Sequence, residues 1–253
     1  MKYILCIAIC IAIACVFSTC ATTHPAAVIT KQTYTFGYKT TNTAKPGSST
    51  VLLGLIRPSY ANNFSFSNFE LFDNFRKYMG DDIQQLLNDK GFNLLNKSYA
   101  SYDEITYTEK KDVQIALDIK IIPTFTAPDG GWTEYRPFSW NGVQAIKYGY
   151  SGTVSLSGHI VIKGIEPMTN QQIFTKSLDI PVVQDIPIKT SHQLDYARVN
   201  AEFFSEPTVY NALGAALQQS YTNIMHQIDV YLDPQELASY LPEVKELKGK
   251  KSF

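Results

Sequence analysis

Hydrophobic and polar residues recur along the first half of the chain in patterns that predict an α/β unit. A continuous apolar run over residues 51–56 predicts a strand that is covered on both faces. Apolar positions then recur at steps of three and four, which predicts a helix that ends near Gly91; they are Phe72, Phe75, Met79, Ile83, Leu86 and Leu87. A short apolar run follows at 92–95. We therefore expect a strand–helix–strand unit to open the domain.

Strict alternation predicts two further strands. The first carries Val113, Ile115, Leu117, Ile119 and Ile121 on one face, and the second carries Val154, Leu156, Ile160 and Ile162. A long loop over 124–144 is expected between them. A turn at 166–170 predicts that residues 173–183 return as a hairpin partner. Residues 184–206 carry few periodic signals and are expected to be irregular.

Both ends of the domain also carry recognisable patterns. Tyr34, Phe36 and Tyr38 alternate with small or polar residues, as in an edge strand. A helical stripe of apolar residues predicts a long helix over about 207–232, and Asp233-Pro234 starts a second, short helix. The predicted fold class is α/β (α+β), a single domain with a mixed β-sheet and the long C-terminal helix packed on that sheet.

The first twenty residues have the pattern of a secretion signal. Met1-Lys2 supplies one positive charge, and an apolar run follows over residues 3–17. Fifteen helical residues span roughly 22 Å, which is less than the ~30 Å hydrocarbon core of a bilayer. All four cysteines lie here, namely Cys6, Cys10, Cys15 and Cys20. A disulfide scaffold or zinc site is thereby excluded for the body of the protein.

The end of this signal resembles a bacterial lipobox. Phe17-Ser18-Thr19 precedes Cys20, which predicts lipidation at that cysteine, whereas Cys15 is a competing site and plain cleavage with secretion remains open. Acylation by two or more chains anchors a protein durably. The predicted organisation is a signal peptide at 1–19, lipidated Cys20 with a flexible tether to 33, one globular domain at 34–245 and a basic tail at 246–253. Ala21 after the cysteine favours the outer membrane.

Charge and motif content exclude several functional classes. The chain has 22 basic and 23 acidic residues, so it lacks the charge of a nucleic-acid-binding surface. It has no glycine-rich phosphate loop after a strand and no paired histidine motif, and its four histidines are scattered. We expect neither catalysis, nor a bound cofactor, nor a metal.

Five stretches of the chain form a recognisable series in order and spacing, namely Leu55–Pro58, Gly164–Met168, Ile188–His192, Thr222–Asp229 and Lys245–Lys250. Together they resemble the corresponding stretches of the neuraminyllactose-binding hemagglutinin (adhesin A) family. The resemblance covers nearly the whole chain after the signal and is strongest from about Ser157. It implies a lipoprotein of the outer membrane or flagellar sheath that is anchored through its cysteine and binds sialoglycans.

The same resemblance implies a binding segment rich in Lys and Arg after the strand at 113–123. This chain departs from that pattern, because Arg136 stands there with Asp129 and Glu134. A sialic-acid carboxylate is best met by bidentate arginine or by several donors. The departure therefore weakens the expectation of sialic-acid recognition.

The loop at 124–144 is the candidate ligand-binding surface. It contains both tryptophans, Trp132 and Trp140, together with Tyr135 and Arg136. Large aromatic rings are mostly buried, which favours rings that fold back onto the sheet; the alternative is that they pack on the apolar faces of sugars. Two functions stay open. One is an adhesin for host glycans or extracellular matrix. The other is a structural lipoprotein of the envelope or flagellar sheath.

Overall fold

The computed structural model describes residues 29–250 except 42, 62–63, 65, 96–97, 127–130, 137–145, 192 and 196–201. Cys20, Cys15 and Trp140 lie outside the described residues. The strands are β1 (Leu52–Leu55), β2 (Ser59–Tyr60), β3 (Asn93–Leu94), β4 (Ile115–Thr126), β5 (Gly131–Tyr135), β6 (Lys147–Glu166), β7 (Gln171–Asp179), β8 (Val183–Lys189) and β9 (Leu194–Asp195). The helices are α1 (Glu70–Asp89), α2 (Tyr107–Asp112), α3 (Pro207–Tyr231), α4 (Pro234–Ser239) and α5 (Leu241–Gly249).

The predicted strand–helix–strand unit is confirmed. β1 and β3 are parallel neighbours, joined by α1, whose predicted apolar stripe is buried. Gly91 follows the helix with a φ of +79°, a conformation that other residues rarely adopt. A Cβ there would lie 2.3 Å from the Ser48 hydroxyl oxygen. Glycine is therefore required for the chain to turn back into β3.

β6 organises the mixed sheet. One of its edges pairs with β4 and, further along, with β5, and its other edge pairs with β7, β8 and β9 in turn. β1 joins the far side of β4 in parallel. α3 lies over β7 and β8, with α1 beside it. The predicted class, a single mixed α/β domain with the long C-terminal helix on its sheet, is confirmed.

Two segments that were expected to be irregular form strands. Residues 131–135 of the predicted loop are β5, and residues 184–189 belong to β8, which begins at Val183. Every residue of β5 is exposed, so no apolar alternation marks it in the sequence. β8 contains Pro187, which lacks an amide donor and is tolerated because, among the strands that the structure describes, β8 pairs only with β6. Pairing with a long neighbour, rather than local pattern, creates both strands.

The edge strand predicted at Tyr34–Tyr38 is absent, because this stretch packs along a helix instead of joining the sheet. The N-terminal segment (residues 30–38) runs along α3, where Asn211 donates to the Thr30 carbonyl and Tyr38 donates to Asp229. An extended chain from Thr30 to Tyr38 spans about 26 Å, and the helix from Asn211 to Asp229 spans about 27 Å. The two run parallel, with the rings of Tyr34 and Phe36 buried.

The end of the chain packs against the domain. α5 continues to Gly249, and Leu247 is buried. Nζ of Lys248 donates to the carbonyl oxygens of Lys111 and Val113, both at 2.6 Å. A cation at this position stabilises the C-terminal end of α2. Residues 246–249, which lie in the predicted basic tail, thus belong to a helix.

Candidate functional site

Trp132 lies on β5 with its ring against three aromatic side chains. It is opposite Tyr150 of β6 in the strand register, and the two ring centroids are 5.0 Å apart with planes at 70°. The rings of Phe203 and Tyr148 follow at 5.3 and 6.4 Å. Despite these contacts the side chain remains 47% exposed. Trp132 is therefore a fixed aromatic surface that still faces solvent.

A small apolar cavity opens beside this ring, and we call it the Trp132 pocket. Its volume is about 140 Å³. Beyond Trp132, its walls include Tyr150, Val154, Ile188, Phe203, Phe204 and Leu213. A cavity of roughly 150 Å³ accommodates a benzene ring, so this one can take a single ring or a short apolar group. Its chemistry suits the apolar face of a ligand whose polar groups stay in water.

Tyr150 forms one wall of the pocket, and its backbone amide and carbonyl are both hydrogen-bonded to Thr190. Its amide donates to the Thr190 hydroxyl at 3.0 Å, and its carbonyl accepts from the Thr190 amide at 2.9 Å. These bonds continue the pairing of β6 beyond the end of β8. The wall is consequently part of the sheet rather than a free loop.

Glu206 fixes the opposite wall. This carboxylate is 2% exposed, caps the start of α3 by accepting from the amides of Thr208 and Val209, and accepts from the Ser191 amide at 2.9 Å. Burial alone would raise the pKa of Glu206, but hydrogen bonds from Ser191 and Thr208 hold that pKa below its ordinary value. The ionised carboxylate of Glu206 is thus favoured in the folded protein, and its hydrogen bonds join the loop after β8 to the start of α3.

The floor of the pocket continues into the core. Phe203 and Phe204 have ring centroids 5.2 Å apart, and Phe204 lies 4.2 Å from Phe66 and 5.7 Å from Phe72. Phe72 is almost fully buried on α1. An unbroken series of ring contacts therefore leads from the core to Trp132, which gives the exposed ring a rigid support.

The predicted site residues are only partly brought together. Side chains alternate along a strand, so Tyr135 faces away from Trp132, beside Gly149. Nε of Arg136 donates to Oε1 of Glu134, and this contact raises the pKa of the exposed guanidinium. The fourth predicted residue, Trp140, lies outside the described part of the chain. The structure thus places Trp132 in a pocket and Arg136 in an exposed ion pair.

Sequence reasoning missed the residues that build the pocket walls. Tyr150, Phe203 and Phe204 are distant from Trp132 in sequence and meet it only through the pairing of β5 with β6 and the position of α3. The adjacent pair Phe203-Phe204, directly before the predicted helix, was a local signal for an apolar contact at the helix start.

Two negative findings apply to the described residues. They contain no group of three or more His, Cys, Asp or Glu side chains placed to hold a metal ion. Their helices all lack the combination of length and apolar character that crossing a bilayer requires.

Comparison with known proteins identifies the family. Residues 26–251 match the model of the neuraminyllactose-binding hemagglutinin precursor family. A neuraminyllactose-binding hemagglutinin from Helicobacter pylori strain 26695 is 24% identical over 209 residues, covering 78% of this chain and 77% of the relative. One from strain J99 is 22% identical over the same length.

A solved structure gives the same result for the fold. A crystal structure of a neuraminyllactose-binding hemagglutinin homolog from Helicobacter pylori covers 85% of this chain and 100% of its own, with a TM-score of 0.55 and 16% identity. The family description names a binding protein rather than an enzyme. Since the family model spans nearly all of the chain, this protein belongs to the neuraminyllactose-binding hemagglutinin family.

Proposed function

We propose that this protein is a lipid-anchored surface adhesin that contacts host glycans through Trp132. Family membership supports the adhesin role, since a hemagglutinin must reach the surface of another cell. The names of the Helicobacter pylori relatives describe binding of neuraminyllactose. The proposal extends this to a host glycan, either a sialoglycan or another, and the finding that carries it is the exposed ring of Trp132.

The surroundings of Trp132 favour ligand contact over a purely structural role. A ring that only attached β5 to the sheet could bury both faces, whereas this one is 47% exposed beside an open apolar pocket. Concave apolar pockets lined by aromatic side chains are the usual form of small-ligand sites. A sugar could lay its C–H face on the indole while its hydroxyl groups remain hydrated.

The glycan contact is tested with the full chain in detergent on a glycan array that includes neuraminyllactose and lactose. Trp132→Ala is expected to weaken binding about tenfold, the effect of losing an aromatic contact of about 1.4 kcal/mol. Tyr107→Ala is the matched control, because Tyr107 is a comparably exposed ring on α2. Equal binding by wild type and Trp132→Ala, or no glycan bound by wild type, would contradict the proposal.

The anchor at Cys20 is tested by labelling cells with radioactive palmitate. Cys20→Ala is expected to abolish labelling, and Cys15→Ala is expected to leave it unchanged. The opposite result would assign the anchor to Cys15, labelling retained in both variants would contradict an anchor at Cys20, and an unlabelled wild type would favour plain secretion.

The position of the protein on the cell distinguishes an adhesin from the alternative, a structural lipoprotein of the outer membrane or flagellar sheath. External protease should digest an adhesin on intact cells. Full protection from protease, combined with altered sheaths or motility after deletion of the gene, would favour the structural role.

A further inference from the structure

A second cavity, which we call the Arg57 pocket, lies between α1 and the break that separates β1 from β2. Its volume is about 280 Å³, and it shares no residue with the Trp132 pocket. Beyond Arg57, its walls are Pro58, Arg76, Lys77, Gly80, Asp81 and Ser98. In contrast to the apolar Trp132 pocket, it is lined mainly by charged and polar side chains.

The two long sides of this pocket belong to different elements. One side is the break after β1, which carries Arg57 and Pro58, and the other is the middle of α1. Gly80 of α1 faces the break, and a Cβ there would lie 3.2 Å from Cδ of Pro58. Glycine is unfavourable inside a helix, but here it lets the helix approach the break closely. The break also lies at the carboxyl end of β1, between two parallel neighbours, where open α/β sheets bind their ligands.

Arg57 contributes an oriented positive charge without a counter-charge. Its amide donates to the Tyr99 carbonyl at 2.8 Å, and its Nε donates to the Ser98 hydroxyl at 3.0 Å. Within the described chain, the arginines that form ion pairs are Arg76 and Arg136, and Arg57 is not among them. An arginine held through Nε keeps its two terminal nitrogens for a ligand and can take a carboxylate in two parallel hydrogen bonds.

The α1 side of the pocket carries a second positive charge in excess. Asp73 binds Arg76 at 2.5 Å and Lys77 at 2.7 Å. The hydrogen bonds from Lys77 and Arg76 hold the pKa of Asp73 below its ordinary value, so this carboxylate is ionised at neutral pH. One negative charge thus serves two cations that both border the cavity.

Asp81 adds a negative charge on the same side. It is exposed, and among the described residues no cation forms an ion pair with it, since Lys77, one helical turn earlier, binds Asp73 instead. An ionised carboxylate is an acceptor for the hydrogen bonds of a ligand ammonium group. The pocket therefore offers a ligand two uncompensated positive charges and one uncompensated negative charge.

We infer that the Arg57 pocket binds an acidic amino acid, with one carboxylate on Arg57, the other beside Arg76 and Lys77, and the ammonium group on Asp81. Such a ligand carries two negative charges and one positive charge, which complement the charges of the walls. Because the cations lie on two different elements, they favour two separate carboxylates over one phosphate dianion. A volume of about 280 Å³ is at the lower end of small-molecule pockets and suits a ligand of this size. The inference goes beyond the glycan contact at Trp132 and does not rest on it.

Isothermal titration calorimetry on the full chain in detergent tests this inference. The probes are L-glutamate and L-aspartate. Each is compared with the diacid that lacks the ammonium group, glutarate or succinate, and with the amide that lacks the second acid, L-glutamine or L-asparagine. At least one acidic amino acid is expected to bind saturably. Its diacid and its amide should each bind about tenfold more weakly, because each lacks one charged contact.

Two variants assign the charged groups of the ligand to their partners. Arg57→Gln is expected to weaken binding of the amino acid and of its diacid alike, about tenfold, because both carry the carboxylate. Asp81→Asn is expected to weaken the amino acid about tenfold and to leave the diacid unchanged or tighter, because the diacid has no ammonium group. A general loss of structure would not reverse the preference in this way. Lys45→Gln and Asp103→Asn are the matched controls, because both residues are exposed and lie outside the pocket.

Three results would overturn the inference. They are no saturable binding of either amino acid up to about 10 mM, equal affinity for the amino acid and its diacid, or full affinity in Arg57→Gln. O-Phosphoethanolamine carries an ammonium group and places its negative charge on one phosphate, and tighter binding of this probe would overturn the assignment to a dicarboxylate. Because none of these probes is a glycan and neither variant alters Trp132, a failure here is distinct from a failure of the Trp132 proposal.

Discussion

Nζ of Lys90 lies 2.7 Å from Oδ1 of Asp229, and this ion pair joins the ends of the two long helices. The hydroxyl of Tyr38 donates to the other carboxylate oxygen at 2.7 Å. Burial alone would raise the pKa of Asp229, but the hydrogen bonds from Lys90 and Tyr38 hold it below its ordinary value. One carboxylate therefore ties α1, α3 and the N-terminal segment together.

Asp229→Asn is expected to destabilise the protein by about 3 kcal/mol, because it leaves the largely buried ammonium of Lys90 without its counter-charge. Urea unfolding followed by circular dichroism measures the loss. Glu246→Gln is the control, since it breaks an exposed pair with Lys250 and should leave the unfolding midpoint unchanged. Equal effects of the two substitutions would contradict the role given to Asp229.

Glu206→Gln is expected to lower the free energy of unfolding at pH 7 by roughly 1–3 kcal/mol, through weaker capping of α3 and weaker hydrogen bonds to Ser191. The folded pKa of Glu206 lies below its ordinary value of 4.5. Its charge-linked stabilisation is therefore complete above pH 4.5 and is lost as the pH falls through the folded pKa.

Unfolding midpoints of wild type and Glu206→Gln between pH 3 and 7 test this dependence. The difference between the two proteins should be constant near neutrality and shrink below about pH 4.5. A difference that stays the same across the whole range would show that the carboxylate charge contributes nothing.

Gly214→Ala is expected to destabilise the domain, although alanine normally stabilises a helix by about 1 kcal/mol relative to glycine. A Cβ at this position of α3 would lie 2.3 Å from the Tyr34 ring, so the N-terminal segment must move. Thermal unfolding measures the change. Gly249→Ala is the matched control, since that helical glycine has open space around its Cβ position, and it should be neutral or slightly stabilising.

A double-mutant cycle can test whether the steric clash with the Tyr34 ring causes the destabilisation by Gly214→Ala. In a Tyr34→Ala background the alanine at 214 should cost little, because the ring that it meets is gone. An undiminished cost in that background would assign the effect to the helix rather than to the N-terminal segment.

Thermal stability should not respond to reducing agent, because no cysteine follows Cys20 in the sequence. Melting curves of the full chain with and without dithiothreitol test this prediction. A lower melting temperature in the reduced sample would indicate a stabilising disulfide within the first twenty residues.

Local periodicity predicts the elements of this fold that bury a regular face. α1 and β4 are recognisable because their apolar residues recur at the helical or strand period, and all of those residues are buried. β5 and β8 cannot be recognised in this way, because β5 is exposed throughout and β8 contains Pro187. Both form because β6 is long enough to pair with them. The prediction of an edge strand in the N-terminal segment was wrong for a related reason. An extended segment packed against a helix shows the same alternation of apolar and polar residues as an edge strand.

The candidate site shows the same division. Trp132 is identifiable as a rare aromatic residue in a polar stretch, whereas the residues that surround it depend on tertiary contacts. The family resemblance was confirmed. The structure adds physical roles to three of the stretches that carry it, since Ser191 binds Glu206, Asp229 binds Lys90 and Lys248 binds the carbonyl oxygens at the end of α2.

The course of the N-terminal segment determines how the domain responds to mechanical force. The N-terminal segment begins at the Asn211 end of α3, and its contacts continue to Asp229. A pull along the helix axis loads all these contacts at once, in shear, whereas a sideways pull would break them one by one from Asn211. A domain tethered through this segment is thus strongest when the tension runs parallel to α3.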